Sequence, residues 1–173
     1  MEKIRVVLFG VGAVGSRIAK FILEKEGIEI VGAIDVAKEK VGKDLGEVLE
    51  IGKRLGVAVS DNPRAVLERA CADVVVQATS SFLRDVYPQI AQVAEYGVNV
   101  VSTCEELSYP FVTEPELAKK LHALGLKYGV SILGTGINPG FLMDTLVITL
   151  TGVCQRVDSI KVTRVMNAAT RRV

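Results

Sequence analysis

The chain has 173 residues, 49% hydrophobic and 24% charged, enough to bury one full core and short for two complete domains. Its 21 Lys and Arg against 20 Asp and Glu leave a formal charge of +1, without the basic excess that nucleic acid or an anionic membrane surface requires. No Trp and 5% aromatics argue equally against a surface of stacked rings.

Residues Ile4 to Phe9 form a short, nearly continuous run of Val, Ile, Leu and Phe. The same texture returns at Ile28 to Ile34, Val57 to Val59, Val74 to Ala78, Val98 to Val101 and Val130 to Leu133. Strands buried on both faces read this way. Between them, Val14 to Lys25, Pro63 to Ala70, Pro88 to Tyr96 and Pro115 to Tyr128 have helical period. Alternation of strand and helix predicts an α/β fold: a Rossmann-type, doubly wound parallel sheet covered on both sides.

Punctuation supports these elements. Asp61 or Asn62 stands ready to cap the helix that opens with Pro63, and Thr113-x-x-Glu116 has the spacing of a capping box. Gly97 and Gly129 lie where helices should stop. Residues 37 to 56, broken by glycines at 42, 46, 52 and 56, read as a loop with one or two short helical turns. Phe141 to Leu150 reads as another apolar helix and Asp158 to Met166 as a strand, one with no partner in the chain. The expected organisation is therefore a nucleotide-binding domain over 1–155, with 156–173 as the start of a truncated second domain.

The opening resembles a signal peptide only superficially, because Arg17 and Lys20 follow the apolar run at helical spacing. The charge-free apolar stretches, Val6 to Gly15 and Val130 to Met143, fall short of the roughly 18 residues of a membrane span. Cys71, Cys104 and Cys154 are odd in number and widely spaced, and there is one His, so neither a disulfide framework nor a zinc site is expected. A cytoplasmic protein with no nucleic-acid or membrane partner is the reading.

The chemistry-bearing motif is Gly10-Val11-Gly12-Ala13-Val14-Gly15, a G-x-G-x-x-G between a strand and a helix. Its glycines permit a tight turn, close approach of a pyrophosphate and close helix-on-strand contact, and the phosphates meet free N–H groups at the helix N-terminus. Asp35, twenty residues after Gly15 at the end of the second strand, suits the hydroxyls of an adenosine ribose and favours NAD over NADP. Lys38, Lys40 and Lys43 follow within reach of a 2′-phosphate, so NADP stays open; a solvated loop is their plainer reading.

Three further clusters should gather at the carboxyl ends of the strands, where ligands of open α/β sheets sit. Ala78, Thr79, Ser80 and Ser81 supply small polar groups for the nicotinamide ribose. Gly134 to Gly140 brings backbone amides, Asn138 and Pro139 toward the carboxamide. Glu105 and Glu106 are the acidic pair; in extended chain they point to opposite faces, so at most one of them would face the nicotinamide, where a carboxylate suits general acid/base work, and a solvent-exposed loop pair is the plainer reading. Cys104 is assigned to lining, and His122 reads as an exposed helix residue.

The segments Val7 to Gly15, Val31 to Asp35, Ala78 to Phe82, Cys104 to Pro110 and Gly134 to Phe141 resemble the 2,4-diaminopentanoate dehydrogenase and native amine dehydrogenase family and, more distantly, dihydrodipicolinate reductase. The resemblance implies an NAD(P)-dependent oxidoreductase acting on the CH–NH2 group of a small amine, by oxidative deamination or its reverse. It implies a glutamate at 105 or 106 against the amine, and a further domain supplying pocket and homodimer interface. Phe82, Tyr109, Ile137 and Phe141 would keep the site dry. Two alternatives stand beside this reading: a cyclic imine reductase of the dihydrodipicolinate type, and a non-catalytic dinucleotide sensor.

Overall fold

The computed structural model describes residues 3–165 and Asn167. Six strands run in chain order, β1 (Ile4–Phe9), β2 (Ile28–Ile34), β3 (Val59–Ser60), β4 (Val74–Gln77), β5 (Asn99–Ser102) and β6 (Ile132–Gly134). All pair in parallel, in the order β3-β2-β1-β4-β5-β6. The order reverses between β1 and β4, the switch point at which such sheets bind ligands.

The helices are α1 (Ala13–Leu23), α2 (Leu45–Val48), α3 (Pro63–Ala70), α4 (Leu83–Glu95), α5 (Pro110–Thr113), α6 (Pro115–Tyr128) and α7 (Leu146–Thr151). Alternation along β1 sorts the core into two layers. Val7 and Phe9 join Val66, Leu67, Leu83, Val86 and Ile90 on one face of the sheet. Val6 and Leu8 join Val11, Ala19, Leu45 and Leu49 on the other. That second face is closed over β1 to β3 but not beyond: in the register Leu8, Val76, Val101, Leu133, exposure rises from 0% at Leu8 to 54% at Leu133.

Several expected boundaries move, each for a physical reason. Helix α4 begins at Leu83, five residues before Pro88, which lies inside it. Burial of Leu83, Val86, Ile90, Val93 and Ala94 along one stripe outweighs the backbone bond that the proline forfeits. Strand β3 is Val59–Ser60 because Val57 and Ala58 pair with the loop instead, Ala58 bridging Asp44 and the Val57 carbonyl accepting the Leu45 N–H at 2.7 Å; Val59 itself pairs with β2 and also bonds the loop, its N–H donating to the Lys43 carbonyl at 2.9 Å.

Asn62 is the cap of α3, its side-chain oxygen accepting the Ala65 N–H at 3.2 Å. The capping box at Thr113 does not form; Thr113 ends α5, Glu114 precedes α6 without a side-chain cap, and Glu116 pairs with Lys119 at 2.8 Å. Gly129, at φ 66°, closes α6. The apolar helix after Phe141 opens with a π turn, Phe141–Thr145, before α7, and neither segment buries a residue. No strand forms over 158–165, which is exposed; an unpartnered strand leaves its backbone groups unsatisfied. Met166 lies outside the described residues.

Candidate dinucleotide site

Backbone hydrogen bonds stitch the strand ends into one continuous edge. The Gly10 N–H donates to the Ile34 carbonyl at 2.8 Å, and the Asp35 N–H to the Ser60 carbonyl at 3.1 Å. Toward β6, the Ala78 N–H reaches the Phe9 carbonyl (2.8 Å), Thr103 reaches Gln77 (3.0 Å), Glu106 reaches Ser81 (3.2 Å) and Thr135 reaches Ser102 (2.9 Å). Every predicted cluster therefore lies on this edge.

Within the glycine turn the three glycines do different work. Gly10 has φ 98°, and a Cβ there would lie 2.6 Å from the Ala78 carbonyl oxygen. A Cβ on Gly15 would run into the Gly10 carbonyl oxygen, so this position sets how closely α1 approaches β1. Gly12 has nothing within 4 Å of its virtual Cβ. It is the N-cap of α1, with no side-chain cap and no acidic residue in the first turn, where Ala13 and Val14 are exposed. Open space beside uncapped amides fits the pyrophosphate of a dinucleotide.

Asp35 is tied to this turn. Its Oδ2 accepts the Val11 N–H at 2.8 Å and its Oδ1 the Ala37 N–H at 2.9 Å. Lys40 Nζ stands 3.3 Å from Oδ2 and donates to the Val11 carbonyl at 3.0 Å. Burial pushes the Asp35 carboxyl up, but the Ala37 and Val11 N–H groups and Lys40 outweigh it and hold the group below its usual value. The solvated-loop reading holds for Lys38 and Lys43, both exposed, and fails for Lys40, whose side chain is 24% exposed.

The two glutamates separate. They do not lie in extended chain but open a 3-10 turn, Glu105–Ser108, where successive side chains diverge by about a third of a circle. Glu106 is half-buried and its Oε2 accepts the Leu83 N–H at 2.7 Å, capping α4. Glu105 is exposed on the edge. Beside them Cys104 is fully buried, its Sγ donating to the Ser81 carbonyl at 3.2 Å, and burial pushes the thiol up.

Below the edge is a polar network that sequence reading passed over. Gln77, 1% exposed, donates from Nε2 to Thr79 Oγ1 at 2.5 Å and to Gln89 Oε1 at 3.1 Å. Its Oε1 accepts the Ser102 hydroxyl, and Ser102 Oγ accepts the Cys104 N–H at 3.0 Å. A polar side chain at the end of an otherwise Val-only strand was the available signal.

Ser80, expected beside the cofactor, bonds Asp85 Oδ2 at 2.8 Å and accepts the Phe82 N–H at 3.2 Å. Asn138 and Pro139, joined by a cis peptide, are half-buried in the turn after β6, whose Gly140 N–H donates to Asp144 Oδ2 at 2.7 Å. The expected dry surround does not form within the described residues: Phe82, Tyr109, Ile137 and Phe141 are 50–71% exposed. His122, exposed on α6, borders an apolar groove of about 430 Å3 that Leu107, Phe111 and Leu133 also line, apart from the glycine turn.

Comparison with known proteins accords with this geometry. Residues 4–105 match the family described as dihydrodipicolinate reductase, N-terminus. The chain belongs to that family. It is 43% identical over 167 residues to a 2,4-diaminopentanoate dehydrogenase of Acetoanaerobium sticklandii, covering 95% of this chain and 47% of that protein. A 4-hydroxy-tetrahydrodipicolinate reductase of Methanococcus maripaludis is 40% identical over 82 residues, 45% of this chain and 30% of its own length. Among solved structures, an amine dehydrogenase from Mycobacterium smegmatis superposes with a TM-score of 0.84 at 43% identity, over 90% of this chain and 45% of that one. The chain thus spans about half the length of the first relatives it matches.

Proposed function

We propose that this chain is the dinucleotide-binding part of an NAD(P)-dependent oxidoreductase acting on the CH–NH2 group of a small amine or diamino acid of the 2,4-diaminopentanoate class. One observation carries the reading: an open, uncapped glycine cradle at the switch point and an exposed glutamate, Glu105, after β5 stand on one stitched edge. The residues from Gly10 to Gly15, Asp35, Ala78, Thr79, Ser80, Asn138 and Pro139 would border the dinucleotide, with NAD preferred because Asp35 is acidic. Cytoplasmic location and a homodimer complete the proposal.

Bound NAD(P) supplies the hydride acceptor. Glu105 takes a proton from the substrate ammonium and passes it to solvent; the C–H bond of the free amine is then the hydride donor, and the ionised carboxylate steadies the cationic iminium that water converts to ketone and ammonia. Glu106 holds α4 and, through it, the 3-10 turn that presents Glu105.

The similarity to 4-hydroxy-tetrahydrodipicolinate reductases covers 43–57% of this chain, whereas that to the diaminopentanoate enzyme covers 95% of it. The test is reduction of NAD and NADP by the intact protein with 2,4-diaminopentanoate and related diamino acids. Amine-dependent reduction is the expected result. Cofactor binding without it would favour the sensor, and turnover of a cyclic imine alone would favour the reductase.

A further inference from the structure

The Asp35 carboxylate is already largely engaged. Of its four lone-pair sites, three are used, by the Val11 N–H, the Ala37 N–H and Lys40. A ribose diol held through both hydroxyls needs two. The two N–H partners are backbone and fixed by the glycine turn and the end of β2; Lys40 is the one that can leave, on a flexible four-carbon stem. Its backbone is nevertheless anchored, the Lys40 N–H bonding the Ala37 carbonyl at 2.9 Å.

Lys40 itself has three N–H donors. Two are used, toward Asp35 Oδ2 and the Val11 carbonyl, and one is left over. Resting on the dinucleotide reading above, we propose that Lys40 lets this one site accept either cofactor. With a free 2′-hydroxyl, the diol takes the place of the ammonium on Asp35. With a 2′-phosphate, Lys40 stays, neutralises Asp35 and gives its third donor to the phosphate. The acidic residue that would repel NADP thereby carries its own counter-charge, and both cofactors bind at one ribose subsite. Lys38 and Lys43, being exposed and outside this triangle of contacts, have no such part.

The experiment is calorimetric titration of NADH and NADPH into the wild type and into Lys40→Met, Lys40→Arg, Lys38→Met and Lys43→Met, at low and high salt. Lys40→Met is expected to weaken NADPH about tenfold, the worth of one charge-assisted hydrogen bond, and to leave NADH unchanged or tighter. Its NADPH affinity should also lose most of its salt dependence. Lys40→Arg, which keeps the charge, should restore most of the NADPH affinity and shows that any loss is not misfolding. The proposal is overturned if Lys40→Met changes both cofactors equally or neither, if Lys38→Met or Lys43→Met produces the selective loss, or if the wild type binds NADH alone. A wild type that binds neither cofactor overturns the dinucleotide reading itself, and this proposal with it.

Discussion

Glu106 accepts the Leu83 backbone N–H at 2.7 Å across 23 residues of sequence, joining the turn after β5 to the first residue of α4. This bond gives two adjacent carboxylates opposite fates. Glu106→Ala should lower the stability of the chain by about 1 kcal/mol, the usual cost of a lost helix cap, read as a lower urea midpoint. Glu105→Ala should leave the midpoint in place. In the intact protein, Glu105→Gln should abolish amine oxidation while cofactor affinity is retained. Similar, mild losses of turnover from both glutamates would remove Glu105 from the chemistry.

The glycine turn makes a second separation. Gly12→Ala adds a methyl into open space, so the fold should be untouched while dinucleotide affinity falls, because the methyl occupies the cradle. Gly15→Ala drives a methyl into the Gly10 carbonyl, and no flexible side chain can yield; a loss of about 1–3 kcal/mol of stability is expected, as for overpacked cores. Thermal melts and NADH titrations of the two variants should rank them oppositely.

Much of the edge was legible because its signals are local. Strand β1, the G-x-G-x-x-G turn and Asp35 follow from a continuous apolar run, glycine spacing and one acidic residue at a strand end, and all three stand where the pattern put them. What escaped depends on contacts distant in sequence. The start of α4 at Leu83 is set by burial against the sheet and by Glu106, the contacts of Lys40 by a loop that folds back on Val11, and the separation of the glutamates by a 3-10 turn that no periodicity announces. The strand expected after Asp158 had the right alternation and no partner, and alternation without a partner does not make a strand.

Acid should act through Asp44. This carboxylate, 5% exposed, accepts the N–H groups of Gly46 (2.8 Å), Leu55 (2.9 Å) and Gly56 (2.8 Å), closing the loop before β3. The Leu55 N–H bond is foremost in holding its pKa below the ordinary 3.8, against the opposing effect of burial and with help from Gly46, Gly56 and Arg54. A pKa depressed by folding means that the charged group stabilises the fold above 3.8 and that this contribution fades as pH falls through the lower folded value. Asp44→Asn should therefore be less stable than wild type at neutral pH, with the gap narrowing only below about pH 4. Urea midpoints from pH 7 to pH 3 check this; a gap independent of pH would assign the loss to geometry and not to charge.

Gln77 tests whether the network under the edge acts as a unit. Gln77→Leu keeps the side-chain volume, yet strips the Ser102 hydroxyl of its acceptor and the Thr79 and Gln89 oxygens of a donor. A buried polar group left unmatched costs about 1–3 kcal/mol, far more than removal of an exposed pair such as Glu116 and Lys119. Ser102→Ala alone takes the donor from Gln77 Oε1 and the acceptor from the Cys104 N–H. In the double variant the Ser102 hydroxyl orphaned by Gln77→Leu no longer exists, so its cost should fall short of the sum of the singles by about 0.5–3 kcal/mol, the range for residues that share a network. Strict additivity in urea unfolding would mean that β4 and β5 are held together at this end by their backbone ladder alone, and that Gln77 is a tolerated polar residue, not the clasp between Thr79 and the turn that carries Glu105.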